Sequence, residues 1–341
     1  MYVVRPVATT DLAQLEALVR RDSHRVPTVP RERAALSALV ERSVASFGRA
    51  VGAPADERYT FVLEDGQGTL AGTATLVARA GESGAYLSFR KDTMRLSSDD
   101  PAVRIDVAML RLCTDLSSHS QLAGFYAPDP ALGWAHKALL ARARLMYAAL
   151  APQRCADRFF AALPGPVERD RGSPFWDAVG RKFFGMDIGQ AEALLRGARD
   201  GARIAGLMPH HPVYVGLLPA AAQAAIAAPD VGAALSLGPL CREGFTTGDY
   251  VDICDGGPVL RATRQALRCT AGAQHRRVEA RAPASHGGVR RYLVSNAREQ
   301  QFRAITVSSA SPDGDDAIGL TPQQQRLLDV GAGDPVSCVL M

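Results

Sequence analysis

Apolar positions along the first half of the chain recur alternately at strand and helix spacing. Tyr2-Val3-Val4-Arg5 reads as a strand closed by Pro6, and from Asp11 the residues Leu12, Leu15, Leu18 and Val19 fall on one helical face. After the proline-bounded loop Val26-Pro27-Thr28-Val29-Pro30, the chain reads as mainly helical from Arg31 towards Pro54. Two β-rich runs, Tyr59 to Leu63 and Leu70 to Val77, flank the turn Glu64-Asp65-Gly66-Gln67-Gly68 and predict a hairpin. An irregular stretch follows. Then come a strand over Gln121 to Tyr126 and a long Ala- and Leu-rich helix, begun by Asp129-Pro130 and running to Leu150. Phe159 to Leu163 predicts another strand, and helices are expected near Pro174 to Phe184, Asp187 to Arg199, Pro219 to Ala228 and Gly232 to Glu243.

This order predicts an α+β domain over residues 1–259. Beyond Gly256-Gly257-Pro258 the helix-length periods almost vanish. Short β-rich segments replace them: Arg291 to Val294, Phe302 to Val307, and Val336 to Leu340 after a helical piece capped by Thr321. A boundary is therefore placed near residue 260, with a small β-barrel-like domain over 260–341. Where the strand at Gln121 runs into the helix that follows it, backbone N–H groups point to a place where a phosphate can sit.

A chain of 341 residues, 47% hydrophobic, can bury one large core or a large and a small one. The net charge of +4 arises from 39 basic and 35 acidic residues scattered without a basic run, which argues against nucleic acid as a partner. No apolar run approaches the ~20 residues that span a bilayer, and the opening Met1 to Pro6 lacks the layout of a signal peptide. A cytoplasmic protein with no membrane partner is expected. The six cysteines form no CxxC pair and read as free buried thiols. The seven histidines show no ligand spacing, so no metal is expected.

Three segments carry a resemblance: Gly172-Ser173-Pro174-Phe175-Trp176 through Gly180-Arg181-Lys182-Phe183-Phe184, then Leu207-Met208-Pro209-His210-His211-Pro212-Val213-Tyr214, then Gly244-Phe245 with Tyr250-Val251-Asp252-Ile253-Cys254-Asp255-Gly256-Gly257-Pro258. Their wording, order and spacing resemble the arginine N-succinyltransferase family, more weakly out to both ends of the chain. Leu112-Cys113-Thr114-Asp115-Leu116, followed by Phe125-Tyr126, resembles the alpha chain of its two-subunit members. The resemblance implies a GNAT-like acyl-CoA N-acyltransferase fold. It also implies a beta-type partner subunit, a homo-oligomer being the other possibility. The implied reaction takes succinyl-CoA as co-substrate and L-arginine, or ornithine, as acceptor, with no permanently bound cofactor.

Direct attack of an amine on a thioester needs a polarised carbonyl, an anchored pyrophosphate and a proton for the leaving thiolate. For the carbonyl, the strand holding Gly124, Phe125 and Tyr126 supplies backbone donors, and the family's acyl-CoA contact maps onto Phe125. For the pyrophosphate, single-chain members carry Gly-x-Gly where this chain has Ala135-His136-Lys137, so His136 and Lys137 are candidates to supply side-chain charge. The family's catalytic histidine aligns with Asp230 in Pro229-Asp230-Val231, and His210 or His211 could substitute for it. An ordinary aspartate, with pKa ~4, is ionised at neutral pH and is a poor acid. Asp252, Asp255 and Arg181 are candidates to hold the two charged ends of the acceptor. The two departures leave open a non-catalytic chain that supports a beta chain, or an acyltransferase with another amine or acyl donor.

Overall fold

The computed structural model describes residues 1–21, 29–82, 84–97, 104–168, 172–191, 208, 210–280, 290–309 and 316–341. Strand β1 (Val3–Pro6) pairs antiparallel with β2 (Arg58–Glu64), and β2 forms the expected hairpin with β3 (Leu70–Val77). Between β1 and β2 lie α1 (Leu12–Arg20) and α2 (Arg33–Gly48). Their apolar stripes put Leu15, Leu18, Val19, Leu36 and Val40 against Val62, Leu70 and Tyr126 on one face of the sheet. Arg5 fixes the turn into α1 by donating to both oxygens of buried Asp11, at 2.7 and 2.9 Å.

The stretch that reads as irregular contains a long hairpin, β4 (Ser88–Ser97) with β5 (Arg104–Cys113). From Lys91 to Ala108 its described side chains are exposed or half-buried on both faces, so no apolar alternation marks it in the sequence. Then follow β6 (Ser120–Tyr126), α3 (Trp134–Leu150) and β7 (Arg158–Ala162). The expected helix near residue 174 splits into α4 (Pro174–Ala178) and α5 (Arg181–Phe184). Next are β8 (Val213–Tyr214), α6 (Ala220–Ala225) and α7 (Val231–Glu243). The expected helices and loops at 22–28 and 192–207 lie outside the described residues.

The chain continues with β9 (Thr246–Val251), β10 (Pro258–Thr263), α8 (Arg268–Ala271), β11 (Gln274–Ala280), β12 (Arg290–Asn296), β13 (Ala304–Ser309), β14 (Ala317–Leu320), α9 (Pro322–Leu328) and β15 (Pro335–Leu340). Among the described residues all fifteen strands join one mixed sheet, in the order β14-β11-β15-β12-β13-β1-β2-β3-β6-β7-β10-β9-β4-β5-β8. With helices laid on it, this is an α+β architecture. The C-terminal strands enter the sheet through β13 beside β1. One face of them, with Tyr292, Val294, Ile305 and Val307, makes its own core with Leu328 of α9, while Leu293 and Ala304 face the core under α3. Residue 260 itself lies inside β10, between β7 and β9. Thr321 caps α9 as expected, taking the Gln324 N–H at 3.2 Å while Gln324 takes the Thr321 N–H at 2.8 Å.

Helix α3 is buried on every side from Ala138 to Ala148, between the sheet and α7 with α8. Two arginines lie inside this apolar stretch. Arg142 donates its Nε to Glu243 of α7 at 2.7 Å, and the other Glu243 oxygen takes the Cys269 N–H of α8, so one carboxylate joins three helices. The six cysteines are free, and Cys241 is exposed where burial is expected. Among the described residues no helix is long and apolar enough to cross a membrane.

Candidate active site

Strands β6 and β7 are parallel neighbours that pair only at Ser120 with Phe159 and Gln121 with Phe160. Both run on past that point, β6 along β3 to Tyr126 and β7 along β10 to Ala162. Two strands that stop sharing a ladder while both continue must part, and a wedge opens between their facing edges.

Beside the wedge, β6 is bulged. Thr73 and Thr75 of β3 face Tyr126 and Ala123, so a two-residue advance on β3 meets three residues on β6. Gly124 absorbs the extra residue at φ +59°, and a Cβ there would lie 3.0 Å from Thr75 Oγ1. Behind the bulge stands Arg144 of α3, 2% exposed, donating Nη1 to Thr75 O at 3.2 Å and Ala123 O at 3.0 Å. Its guanidinium lies 5.8 Å from the centre of the Phe125 ring.

The N-terminus of α3 follows β6. It begins at Trp134 rather than at Asp129-Pro130, because Asp129 closes a turn of its own by taking the Ala131 N–H at 2.8 Å. The His136 and Lys137 N–H groups of this turn donate to Gly133 O at 3.0 and 3.3 Å, and the turn presents the positive end of the helix dipole. His136 and Lys137 are half-buried there. His136 packs on the Tyr2 ring at 4.4 Å, and burial, with the N-terminal ammonium and Arg291 adding to it, holds its pKa below the usual value. Burial thus disfavours the charged imidazole, and the Arg242 guanidinium lies 4.8 Å from the Trp134 ring at the start of the same turn.

The other lip of the wedge is made where β7 runs into Leu163-Pro164-Gly165, pressed backbone to backbone on the turn Asp252 to Gly257. A Cβ at Gly257 would fall 2.2 Å from Leu163 O, so only glycine permits this contact. Asp252 Oδ1 takes the Cys254 N–H at 2.7 Å, and Asp255 Oδ1 takes the Gly257 N–H at 2.8 Å. The two carboxylates thus shape the turn, Asp255 buried and Asp252 half-buried. Asp230 is tied to the same lip. Its N–H donates to Pro164 O at 2.8 Å, and its Oδ2 takes the Gly232 N–H at 3.0 Å as the N-cap of α7. Tyr86 stands close by, its phenol pushed well above the ordinary value by burial and then by Asp252, Cys254 and Asp255.

The fold therefore gathers Gly124, Phe125 and Tyr126 on one lip, with His136 and Lys137 on the helix that follows it, and Asp230, Asp252 and Asp255 on the other. His210 and His211 are exposed just ahead of β8, which pairs with β5 at the end of the sheet order. Arg181 is exposed on α5, 3.3 Å from Asp177. Sequence reasoning passed over Arg144, although an arginine within the apolar run Ala-Leu-Leu-Ala-Arg-Ala-Arg-Leu-Met-Tyr is itself a signal.

Comparison with known proteins agrees with the three matched segments. Residues 2–269 match the family described as "Arginine N-succinyltransferase beta subunit", and residues 274–339 match the C-terminal domain of the same description. The chain is 36% identical over 340 residues to "Arginine N-succinyltransferase subunit alpha" of Pseudomonas aeruginosa, covering 99% of both. It is 30% identical over 344 residues to "Arginine N-succinyltransferase" of Escherichia coli, covering 99% of this chain and 97% of that one. A solved structure described as arginine/ornithine succinyltransferase subunit AI from Pseudomonas aeruginosa superposes with a TM-score of 0.87 at 33% identity, over 100% of this chain and 98% of that chain. This chain belongs to the arginine N-succinyltransferase family.

Proposed function

We propose that the chain transfers the succinyl group of succinyl-CoA to the α-amine of L-arginine, on a GNAT-like fold extended by a small barrel-like C-terminal domain from about residue 260. The wedge between β6 and β7, with the N-terminus of α3 following β6 along the chain, is the observation that carries this reading. Succinyl-CoA is a co-substrate. Its pyrophosphate rests on the first turn of α3, where backbone N–H groups and Lys137 supply the positive field in place of a glycine-rich turn. Its thioester lies along Gly124 to Tyr126, whose backbone polarises the carbonyl.

The neutral α-amine of arginine attacks the thioester carbon; the C–N bond forms and the C–S bond breaks. The amine loses a proton, the CoA thiolate gains one, and N-succinylarginine and CoA leave. Asp230 on the far lip is the proton-handling group best placed by its backbone tether, with His210 and His211 the remaining candidates. Asp252 and the buried Asp255 line the acceptor side with negative charge, and Arg181 is the candidate for the acceptor carboxylate. Replacing Lys137 with alanine is expected to raise KM for succinyl-CoA about tenfold and to change kcat by less than about twofold, the loss of one charge-assisted phosphate contact. Steady-state kinetics with varied succinyl-CoA checks this.

One observation favours a second reading, a chain that supports a catalytic beta-type subunit: Asp230 already spends its Oδ2 on the Gly232 N–H. Incubating the purified chain with succinyl-CoA and, in turn, arginine, ornithine and lysine, with mass spectrometry of the products, separates the readings. N-succinylarginine as the dominant product supports the first, and no acylated amine from any of the three overturns it. The reading places the protein in the cytoplasm, as a homo-oligomer or with a beta-type partner.

A further inference from the structure

Arginine side chains that are fully buried almost always meet a carboxylate, because a lone cation in a low-dielectric interior is strongly disfavoured. Arg142, two residues earlier, follows that rule through Glu243. Arg144 does not. Among the described residues its side-chain partners are three backbone carbonyls, of Thr75, Ala123 and Ala141, and the face of Phe125. With no counter-ion, burial alone lowers its pKa to about 9, and at neutral pH it still carries its charge. An apolar side chain would fill the same space without this penalty, so the cation needs a reason to be there.

The geometry points to Arg144 as a positioning residue for acyl transfer: it fixes the bulge of β6 and sets a positive charge directly behind the strand that faces the thioester. Thr75 and Ala123 are the pair at which the β3–β6 register slips, and a slip leaves carbonyls there without regular ladder partners. One nitrogen, Nη1, donates to both, so the guanidinium sets the separation of the two strands at the bulge. The Ala123 carbonyl belongs to the same peptide as the Gly124 N–H. A charged donor on that oxygen polarises the peptide and makes its N–H a stronger donor. The charge also favours negative charge growing on the thioester oxygen as the amine adds. The Phe125 ring covers one side of the guanidinium at 5.8 Å. This inference rests on the β6–β7 wedge being the acyl-transfer site.

The test compares wild type with R144Q, R144M and R144K, measuring kcat, KM for each substrate and thermal stability. R144Q keeps a hydrogen-bonding group, and R144K keeps the charge but loses the fork. The inference expects kcat to fall about 10- to 100-fold in R144Q, with KM for arginine within about twofold and partial recovery in R144K. A purely structural side chain would lower the melting temperature of R144Q and R144K and leave kcat per folded molecule unchanged; that result overturns the inference while the wedge reading stands. R144M serves as the packing control, and its failure to fold leaves the R144Q and R144K comparison decisive. A wild type that does not turn over succinyl-CoA defeats the wedge reading, and the inference with it.

Discussion

Replacing Gly124 with valine is expected to lower kcat about 100-fold or more, with the protein still folded. Two physical effects combine. A β-branched residue at φ +59° is strained by about 1–2 kcal/mol, and its Cβ would press on Thr75 Oγ1 at 3.0 Å. Thr75 cannot withdraw, since its hydroxyl bonds Thr60 at 3.0 Å inside the sheet. The strand relieves the clash by flattening the bulge, which turns the Gly124 to Tyr126 backbone away from the wedge. A 1 Å displacement at a reacting centre is enough for a loss of roughly this size. G124A shares the backbone strain with a smaller side chain and is expected to fall between. Circular dichroism confirms folding, and thiol release from succinyl-CoA gives kcat; wild-type turnover by folded G124V would remove the bulge from the mechanism.

Replacing Glu243 with alanine is expected to destabilise the fold by about 3–5 kcal/mol, the cost of stranding one member of a buried ion pair. Arg142 would keep a long contact to Leu340 O, at 3.4 Å, and lose its carboxylate, and the Cys269 N–H would lose its acceptor inside the core. Because this carboxylate joins α3, α7 and α8, its loss loosens the helix that carries both the phosphate-facing turn and Arg144. The melting temperature should drop by roughly 10 °C, and E243Q, which can still accept from Cys269, should lose less. A shift below about 2 °C would mean that the three helices are held by apolar packing alone.

Strong local patterns were legible in the sequence: the β2–β3 hairpin, α1, β6, β7 and the Thr321 cap all follow from periodicity and cap chemistry. The β4–β5 hairpin was not, because strands wet on both faces carry no alternation. The start of α3 was misplaced because Asp129 can cap a helix or close an isolated turn, and only the surrounding packing decides which. At the candidate site, a phosphate-facing turn could be expected where a strand feeds a helix, while Gly124 to Tyr126 came from the resemblance to the family. The wedge itself could not, since it depends on where two strands stop pairing, Ser120 and Phe159 being 39 positions apart at the first pair. Asp230 was found by alignment with the family pattern, while its tether to Pro164 came only with the fold. Arg144 stood out in the sequence only as a charge within an apolar run; its partners are carbonyls, which no sequence motif records.

The most direct test is release of free thiol from succinyl-CoA by this chain alone, with and without L-arginine, in wild type and G124V. An arginine-dependent rate in wild type that collapses in folded G124V is the expected result, and it would place succinyl transfer in the β6–β7 wedge of this chain. No release by the chain alone, together with undiminished release from a mixture of G124V and a beta-type subunit, would contradict it and assign the chemistry to the partner.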